Sequence, residues 1–433
     1  MMKIKTLTLT NFRCFDSLTI HFEGRLNVLV AQNGAGKSAV LDAISIGIGS
    51  FLTALPNVSG INFKDTDFRI QEDGGKPPYM RIAMTTVEGI CWDRTKKRDK
   101  FKRTAKEIPE TKGIKPINEY AESLINDFIN GRNPRFPIIA YYGTGRGVFD
   151  SPQRRRSFKK DFAVNDGYRG ALEAKANFKS FFEYFYSMED LERREKEERR
   201  DWDYRQKELV AIRTAITRLM PEFSNPRTAV RPIGFLIDWE RDHKSQTLRI
   251  EQLSDGYRTT LAMVMDIASR MAWLNPTADD ILDTEGIVLI DEIDLHLHPF
   301  WQQTILPDLL KTFPGVQFIV STHSPQVLTT ARREQVRVLG QSAEGKFFAE
   351  PPLGKTYAEE SNNVLQAVMG VNPIPPLDIA KVLEEYTKLV EQGDYLNEAA
   401  QEKKRQLENE LGSNHPQLQK LERSIRRMEV LNQ

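Results

Sequence analysis

The sequence predicts an α/β fold in which a parallel core sheet carries an antiparallel N-terminal subsheet, an inserted helical arm and a helical C-terminal tail. Three short, continuous apolar runs, RLNVLVA, GIVLIDE and VQFIVSTH, are typical of strands buried on both faces of a parallel sheet. Polar and apolar residues alternate from Lys3 to Ile20, which predicts a β-hairpin. Helical spacing dominates from about Lys160 to Arg231 and again from Leu377 onward.

These patterns divide the chain into four expected regions. Residues 1–160 form an N-terminal lobe with a glycine-rich loop, and residues 161–231 form a helical insertion. Residues 232–350 form a C-terminal lobe, and residues 351–433 form a helical region for oligomerisation or partner docking. Further strands are predicted at MRIAMTTVEGICWDR, IGFLIDWE and TLRIEQL, and the helix GYRTTLAMVMDIASRMAWL ends where a proline follows.

Charge and cysteine content exclude several classes of protein. Lys and Arg number 61 against 60 Asp and Glu in 433 residues, so any nucleic-acid binding must come from local patches. The two cysteines, Cys14 and Cys91, are too few for a disulfide framework or a Cys-x-x-Cys metal site. The N-terminus lacks the apolar core of a signal peptide, and no apolar run approaches the ~18 residues of a membrane span. We therefore expect a soluble, cytoplasmic protein without a membrane partner.

The stretch AQNGAGKS, residues 31–38, predicts a phosphate-binding loop between a buried strand and a helix. Such a loop needs inward backbone N–H groups, a lysine for the β- and γ-phosphates, and a hydroxyl for Mg²⁺. Lys37 and Ser38 supply the last two. The expected ATP-binding residues are Asn33, Gly34, Ala35, Gly36, Lys37, Ser38 and Ala39. Ala31 replaces the first glycine of the pattern, which is compatible with the loop if Ala31 keeps a negative φ.

A second Gly-Lys-Thr triplet occurs in PPLGKTYA, at Gly354, Lys355 and Thr356. Prolines precede it, no apolar strand leads into it, and no further glycine surrounds it. We interpret this copy as a surface turn.

The run IVLIDE predicts the acidic end of a nucleotide site. Asp291 follows a buried strand and is placed to hold Mg²⁺ through water. Glu292 is then placed to orient or deprotonate an attacking water. The structural alternative is a strand that simply runs into an acidic turn.

The order of motifs resembles the ATP-binding cassette (ABC) superfamily: LSDGYR (253–258) opens a helix before IVLIDE, and IVSTHSP follows it. The resemblance implies that Ser254 and Gly256 of one protomer bind the γ-phosphate held by another, within a homodimer or higher homo-oligomer that sandwiches ATP. It also implies that His323 contacts the γ-phosphate. Asp255 departs from the superfamily's glycine. The structural alternatives are an N-capping Ser254 and a histidine that only completes a strand end.

Within this superfamily the chain resembles the ATPases similar to structural-maintenance-of-chromosomes (SMC) proteins, through NFRCF, QNGAGKS, DEIDLHLHP and STHSP. This implies that Arg13 reaches the nucleotide phosphates, the alternative being an exposed arginine at a strand end. It also implies that Asp294 lies near the dimer interface.

Other details of the resemblance remain open. His296 and His298 have the spacing of metal ligands, but they fall within the DEIDLHLHP match, which argues against a zinc site. The family also has a loop with a glutamine, for which Gln71 is one candidate. The alternative is that YYGTGR places Arg146 at the site instead.

Among SMC-like proteins the chain has neither a long coiled coil nor a Cys-x-x-Cys hook, and no Asp-x-Asp nuclease pair follows His323. Its layout and the tail stretch TYAEESNNVLQAVMGV resemble the PtuA ATPases of Septu and retron-associated anti-phage systems. The resemblance implies an ATP-hydrolysing regulatory subunit that works with a separate HNH nuclease (PtuB-like), a retron reverse transcriptase or its noncoding RNA. The alternatives are a repair ATPase that acts directly on DNA and a nucleotide-bound scaffold with little turnover.

Two basic segments, residues 94–106 and 154–160, are candidates for contact with DNA or RNA, because clustered Lys and Arg neutralise phosphates. The alternative is that both are solvated loops.

Overall fold

The computed structural model describes residues 2–101, 104, 106–147, 163–174, 178–241 and 244–431. The chain divides into two compact units, Met1–Met369 and Gly370–Gln433. The second unit therefore begins later than the boundary at 351 that the sequence predicted. The reason is that the helix Ser361–Ala367 belongs to the first unit, where Val364 and Val368 are buried in the core.

The described strands are β1 (Ile4–Phe12), β2 (Phe15–His21), β3 (Leu26–Val30), β4 (Tyr79–Thr86), β5 (Cys91–Lys97), β6 (Ile138–Tyr142), β7 (Phe223–Val230), β8 (Ile233–Arg241), β9 (Lys244–Arg249), β10 (Gly286–Ile290), β11 (Val316–Ser321), β12 (Val336–Gln341) and β13 (Phe347–Glu350). The described α-helices are α1 (Lys37–Thr53), α2 (Lys115–Ile129), α3 (Phe178–Arg199), α4 (Lys207–Leu219), α5 (Asp255–Leu274), α6 (Pro299–Gln302), α7 (Ile305–Thr312), α8 (Pro325–Leu328), α9 (Ser361–Ala367), α10 (Asp378–Gln392), α11 (Glu398–Leu411) and α12 (Pro416–Leu431).

The core of the first unit is a six-stranded sheet in the order β13-β12-β3-β11-β10-β6. Its strands run parallel except β13, which is antiparallel to β12. Strands β3, β10 and β11 are buried at every residue, as their continuous apolar sequences predicted, and so is β6, which the sequence analysis did not predict as a strand. The parallel core sheet is therefore confirmed, and the carboxyl ends of these four strands meet at one edge.

Alternating side chains of these strands enter two different cores, because successive residues of a strand face opposite sides of the sheet. Val288 and Ile290 of β10 pack in the core that includes α5, whereas Ile287 and Leu289 pack in the core that includes α1. The sheet thus has a helix on each face, and the loop before α1 is held at the sheet edge.

The N-terminal subsheet is antiparallel, in the order β2-β1-β4-β5, which confirms the predicted hairpin and the two strands after α1. Gln317 of β11 joins it to the core sheet. The buried Gln317 amide accepts from Ile4 N at 2.7 Å and donates to Ile4 O at 2.8 Å and Glu23 O at 2.7 Å.

The inserted region contains the expected helices α3 and α4, but it also contains β7, so the prediction of a wholly helical segment 161–231 is wrong at its end. β7 forms an antiparallel sheet with β8 and β9. Pro226 explains the difference, since proline cannot continue a helix. It lies where the register shifts between Ser224 and Arg227, a position that tolerates the missing N–H.

The second unit consists of α10, α11 and α12, as predicted for the tail. Gly393, at φ 86°, ends α10 in the left-handed conformation that glycine favours. The helices share a small core of Leu383, Tyr386, Val390, Ala400, Leu407 and Leu418.

Three further expectations concern the second Gly-Lys-Thr triplet, the second basic segment and the absence of a membrane span. The Gly354-Lys355-Thr356 triplet lies in irregular structure between β13 and α9, and Thr356 Oγ1 donates to Ala331 O at 2.6 Å. The basic segment 154–160 lies outside the described residues. No helix in the described part of the chain has both the length and the apolar composition needed to cross a bilayer.

Candidate nucleotide site

The glycine-rich loop leads from β3 into α1, as the sequence predicted. Gly34 (φ 81°) and Gly36 (φ 98°) both adopt left-handed conformations, and Gly36 is the N-cap of α1. A Cβ at Gly36 would also overlap the Phe15 ring and lie 2.8 Å from Cys14 Sγ. Ala31 stays outside the left-handed region, as the sequence argument required. Asn33 and Gly34 are exposed, so the loop faces solvent.

Lys37 folds back across this loop. Its Nζ donates to Ala31 O at 2.9 Å and to Gln32 O at 3.3 Å, and the side chain is buried. Burial lowers the pKa of Lys37, while the negative charges of nearby acids, including Asp291 and Glu292, oppose that shift. A cation is therefore held inside the loop within the field of Asp291, the expected metal ligand, and Glu292, the expected catalytic acid.

Ser38 and Asp291, the two expected magnesium ligands, lie in direct contact. Ser38 Oγ donates to Asp291 Oδ2 at 2.7 Å. Hydroxyl and carboxylate oxygens are the ligands that Mg²⁺ prefers, and Mg²⁺ typically combines one or two carboxylates with substrate phosphates. This pair therefore fits a magnesium ion bound together with a nucleotide.

Ser321, which the sequence analysis missed, supports both acids from the end of β11. Its buried Oγ donates to Asp291 Oδ1 at 2.5 Å and accepts from the backbone N–H of Glu292 at 2.8 Å. The available signal was its position in IVSTHSP, at the end of a strand that pairs in parallel with β10.

Glu292 has an unusual backbone. Its φ is 47°, in the left-handed region that residues other than glycine seldom adopt. Within the described part of the chain, no hydrogen bond or ion pair engages its partly exposed carboxylate. A strained residue at a functional site often reflects a geometric requirement of that site. A carboxylate without a partner among the described residues is available to a water molecule.

Arg146 lies beside Asp291 and Glu292, in the loop after β6. Its guanidinium donates to Asp291 O at 2.5 Å and to Glu292 O at 2.6 Å. The predicted proximity of Arg146 to the site is therefore observed, through backbone carbonyls. The alternative candidate, Gln71, is exposed in a turn where its N–H donates to Gly75 O at 2.9 Å.

Asp294 connects the segment after β10 to the histidine loop. Its Oδ1 accepts from Thr322 Oγ1 at 2.6 Å and from the backbone N–H of His323 at 3.4 Å. The partly exposed His323 thus follows the same strand end as Ser321. His298 Nδ1 accepts from Phe300 N at 3.3 Å, which caps α6. The described residues contain no group of three His, Cys, Asp or Glu that could hold a metal ion.

The signature residues lie at the start of α5. Ser254 is its N-cap and is exposed, yet its hydroxyl accepts no hydrogen bond from the first-turn amides, residues 255–258, which are all described. Asp255 pairs with Arg258 at 2.5 Å. A Cβ at Gly256 would overlap His296 O, so glycine is needed for this close approach. The N-terminus of α5 therefore presents an uncommitted hydroxyl at the positive end of a helix.

Arg13 is held by two carboxylates. Its Nη1 lies 2.6 Å from Asp42 Oδ2 on α1, and its Nε lies 3.0 Å from Asp67 Oδ1. Burial lowers the pKa of Arg13, but the bonds and charges of the two acids outweigh it and raise the pKa overall. Tyr141 OH also donates to Asp42, at 2.8 Å. The structure thus places Arg13 beside α1, the helix that follows the phosphate loop, and pairs it with two carboxylates.

Three cations of the basic segment 94–106, Arg94, Lys96 and Arg98, have partners within the protein. Arg94 donates to Ile46 O at 2.7 Å and Ile61 O at 2.6 Å, Lys96 pairs with Asp65 at 2.5 Å, and Arg98 pairs with Asp99 at 3.1 Å. β5 is also an edge strand, where lysines discourage strand addition.

Comparisons with known proteins identify the family and several relatives of this chain. Residues 6–223 match the family described as AAA domain, and residues 132–329 match a family described as AAA domain, putative AbiEii toxin, Type IV TA system. The retron Ec83 probable ATPase of Escherichia coli is 30% identical over 471 residues, which cover 92% of this chain and 82% of that protein. The retron Vc95 probable ATPase of Vibrio cholerae serotype O1 biovar El Tor is 26% identical over 454 residues, which cover 90% and 84%.

Two other likenesses are more limited. The Septu protein PtuA of Bacillus mycoides (strain KBAB4) is 35% identical over 153 residues, which cover 32% of this chain and 21% of that protein. A solved Smc head bound to the C-winged helix domain of ScpA is 17% identical, with a TM-score of 0.44, and the match covers 80% of this chain and 97% of that one. Because the first family match spans half of the sequence and the Ec83 match nearly all of it, the chain belongs to the AAA-domain ATPase family that includes the retron Ec83 probable ATPase.

Proposed function

We propose that this protein binds ATP with Mg²⁺, hydrolyses it, and uses the nucleotide state to regulate a nuclease in an anti-phage defence complex. The observation that carries the ATPase proposal is the 2.7 Å contact between Ser38 and Asp291. It joins the phosphate loop to the acidic strand end across 253 residues of sequence. Because the phosphate loop and the acidic strand end are in contact, each motif supports the interpretation of the other as part of one nucleotide site.

Each group at the site has a distinct role in this proposal. The loop amides and Lys37 bind the phosphates. To do so, Lys37 gives up its hydrogen bonds to Ala31 O and Gln32 O and contacts the phosphates instead. Ser38 and Asp291 hold Mg²⁺, which when bound neutralises charge that develops on the phosphates. Glu292 orients and deprotonates the attacking water, and His323 contacts the γ-phosphate.

The proposal also includes a second copy of the chain. Ser254 is exposed at the N-terminus of α5, and its hydroxyl is not used to cap that helix. A phosphate supplied by another protomer would satisfy both the hydroxyl and the helix N-terminus. ATP binding would then close a homodimer, and hydrolysis would open it.

The regulatory role rests on relatives rather than on geometry. The similarity to two retron probable ATPases and to Septu PtuA supports a place in anti-phage defence. In this proposal the protein works in the cytoplasm beside a separate HNH nuclease, a retron reverse transcriptase or its RNA. Direct contact with DNA or RNA through exposed basic residues remains part of this proposal. The chain itself would contribute no nuclease site.

The test compares the wild type with Glu292→Gln and Ser254→Arg. Wild-type protein should release phosphate from ATP, and Glu292→Gln should bind ATP but hydrolyse it at least about 100-fold more slowly, as expected when a general base is lost. Light scattering should detect an ATP-dependent dimer of Glu292→Gln. Adding Ser254→Arg to that variant should abolish the dimer. Unchanged turnover in Glu292→Gln would refute the assignment of the base, and a monomer in saturating ATP would refute the sandwich.

A further inference from the structure

Arg146 occupies a loop that the core sheet places beside the two acids. β6 pairs with β10 in parallel, with Tyr142 opposite Ile290, and Asp291 N donates to Tyr142 O at 2.8 Å. The residues that follow β6 therefore run alongside those that follow β10. A 3₁₀ turn, Thr144–Gly147, comes next and carries Arg146.

The Arg146 side chain is buried at 3% exposure, and its hydrogen bonds go to backbone carbonyls. Nη1 donates to Asp291 O at 2.5 Å and Gly143 O at 3.2 Å, and Nη2 donates to Glu292 O at 2.6 Å. Within the described part of the chain it forms no ion pair with a carboxylate. Two nitrogens of one planar guanidinium thus bind the carbonyls of two consecutive residues, which the compact ammonium of lysine cannot reproduce.

This arrangement depends on the backbone conformation of Glu292. Along an extended strand, successive carbonyls point to opposite sides. The left-handed φ of 47° at Glu292 turns the chain, so that the carbonyls of Asp291 and Glu292 can face the same guanidinium. A glutamate in this region needs support from its surroundings to stay there. Arg146 supports this conformation by donating to the carbonyls of Asp291 and Glu292, and the Ser321 hydroxyl supports it by accepting the Glu292 N–H.

We propose that Arg146 is a positioning residue of the ATPase site, which holds the left-handed turn at Glu292 and thereby directs the Glu292 carboxylate. The inference rests on the proposed hydrolysis of ATP and adds a residue to its machinery. Arg146 acts through the peptide backbone and makes no contact with the phosphates. It should therefore affect the rate of hydrolysis and leave ATP binding unchanged.

A double-mutant cycle with Arg146→Gln and Glu292→Gln tests this role, with single-turnover hydrolysis of labelled ATP and titration of a fluorescent ATP analogue as readouts. Arg146→Gln should lower the hydrolysis rate about 10- to 100-fold, as for other residues that orient a catalytic group, with less than a threefold change in nucleotide affinity. In the Glu292→Gln background, Arg146→Gln should have no further effect, because the side chain that it directs is already inactive.

Hydrogen–deuterium exchange without nucleotide gives a readout independent of activity. Exchange at residues 290–296 should be faster in Arg146→Gln than in the wild type. Arg337→Gln is the matched control, since the buried Arg337 also donates to backbone carbonyls, His21 O at 2.7 Å and Val336 O at 3.0 Å, and lies outside the site. It should leave the hydrolysis rate and the exchange of 290–296 unchanged. Arg146→Lys keeps the positive charge but lacks the two donating nitrogens of the guanidinium, so it should recover only part of the hydrolysis rate. If Arg146→Gln does not fold, Arg146→Lys takes its place in the experiment.

The outcomes separate the inference from the function on which it rests. If the wild type does not hydrolyse ATP, the proposed function fails. If the wild type is active and the effects of Arg146→Gln and Glu292→Gln multiply, or if Arg146→Gln chiefly weakens nucleotide binding, the positioning role is wrong while the ATPase stands.

Discussion

Ser321 Oγ lies 2.5 Å from Asp291 Oδ1 and also accepts the backbone N–H of Glu292, so one hydroxyl of β11 fixes both acids at the end of β10. Ser321→Ala should therefore leave the partly buried N–H of Glu292 without this partner and release one oxygen of Asp291. We expect ATP turnover to fall about 10- to 100-fold, the usual effect of removing a group that orients a catalytic one. The measurement is steady-state phosphate release at saturating Mg²⁺.

The control for Ser321→Ala is Ser45→Ala. Ser45 is also buried, and its Oγ donates to Asp42 O at 2.8 Å in the interior of α1. Ser45→Ala should keep nearly wild-type turnover. Equal effects of the two substitutions would show that loss of a buried hydroxyl, rather than the position of Ser321, accounts for the result.

Gly256→Ala should destabilise the first unit even without nucleotide. Its new methyl group would overlap His296 O, and His296 itself has a left-handed φ of 65°, so the segment has little freedom to move. Overpacking of this kind typically costs about 1–3 kcal/mol in the free energy of unfolding. Urea unfolding monitored by circular dichroism gives this quantity.

Gly24→Ala is the matched control, because a Cβ at Gly24 meets no atom within 4 Å. It should change the free energy of unfolding by less than about 0.5 kcal/mol, as surface substitutions do. If Gly256→Ala were as stable as Gly24→Ala, the close approach of α5 to the His296 backbone would not explain the glycine.

Arg13→Ala should lower stability by about 1–3 kcal/mol, because it leaves the carboxylate of Asp67, which is 2% exposed, without its cation. Arg98→Ala removes a more exposed ion pair with Asp99 and should cost less than about 1 kcal/mol. Both values come from urea unfolding without ATP. A normal free energy of unfolding for Arg13→Ala, combined with weaker ATP binding, would instead place its main role at the phosphates.

Removal of residues 370–433 should leave an active ATPase. The buried residues of the tail pack with one another, and the contact division of the chain falls between Met369 and Gly370. The fragment 1–369 should keep the wild-type melting temperature within a few degrees and its ATP turnover. Copurification of an HNH nuclease with the full chain but not with 1–369 would assign the tail to partner docking.

A cut at residue 350, the boundary that the sequence suggested, is the contrasting case. It also removes Val364 and Val368 from the core of the first unit. Loss of several buried aliphatic side chains costs about 2–5 kcal/mol each, so the fragment 1–350 should aggregate or melt at a lower temperature. Equal stability of the two fragments would contradict the observed boundary.

Local patterns were enough to predict the parts of the fold and site that depend on nearby residues. Continuous apolar runs predicted β3, β10 and β11, and the glycines and lysine of residues 33–38 predicted the loop between β3 and α1. The end of the insertion was mispredicted, although Pro226 already argued against a helix there.

Contacts between distant segments could not be predicted in the same way. Arg146 was one candidate for the site, but its bonds to the carbonyls of Asp291 and Glu292 arise because β6 lies next to β10. Arg13 meets Asp42 because the β1–β2 turn packs on α1. Both depend on which strands are neighbours in space, and sequence spacing does not contain that information. Ser321 was missed for the same reason, since its function comes from two residues of another strand end.

The bond between Lys37 and Ala31 O has a consequence for how such loops are recognised. Position 31 contributes a carbonyl, which every amino acid has, and its φ is one that ordinary residues adopt. The first glycine of the pattern is thus dispensable here, whereas the left-handed Gly34 and Gly36 are not. A search that requires glycine at that first position would overlook this chain, and one that scores the two later glycines would retain it.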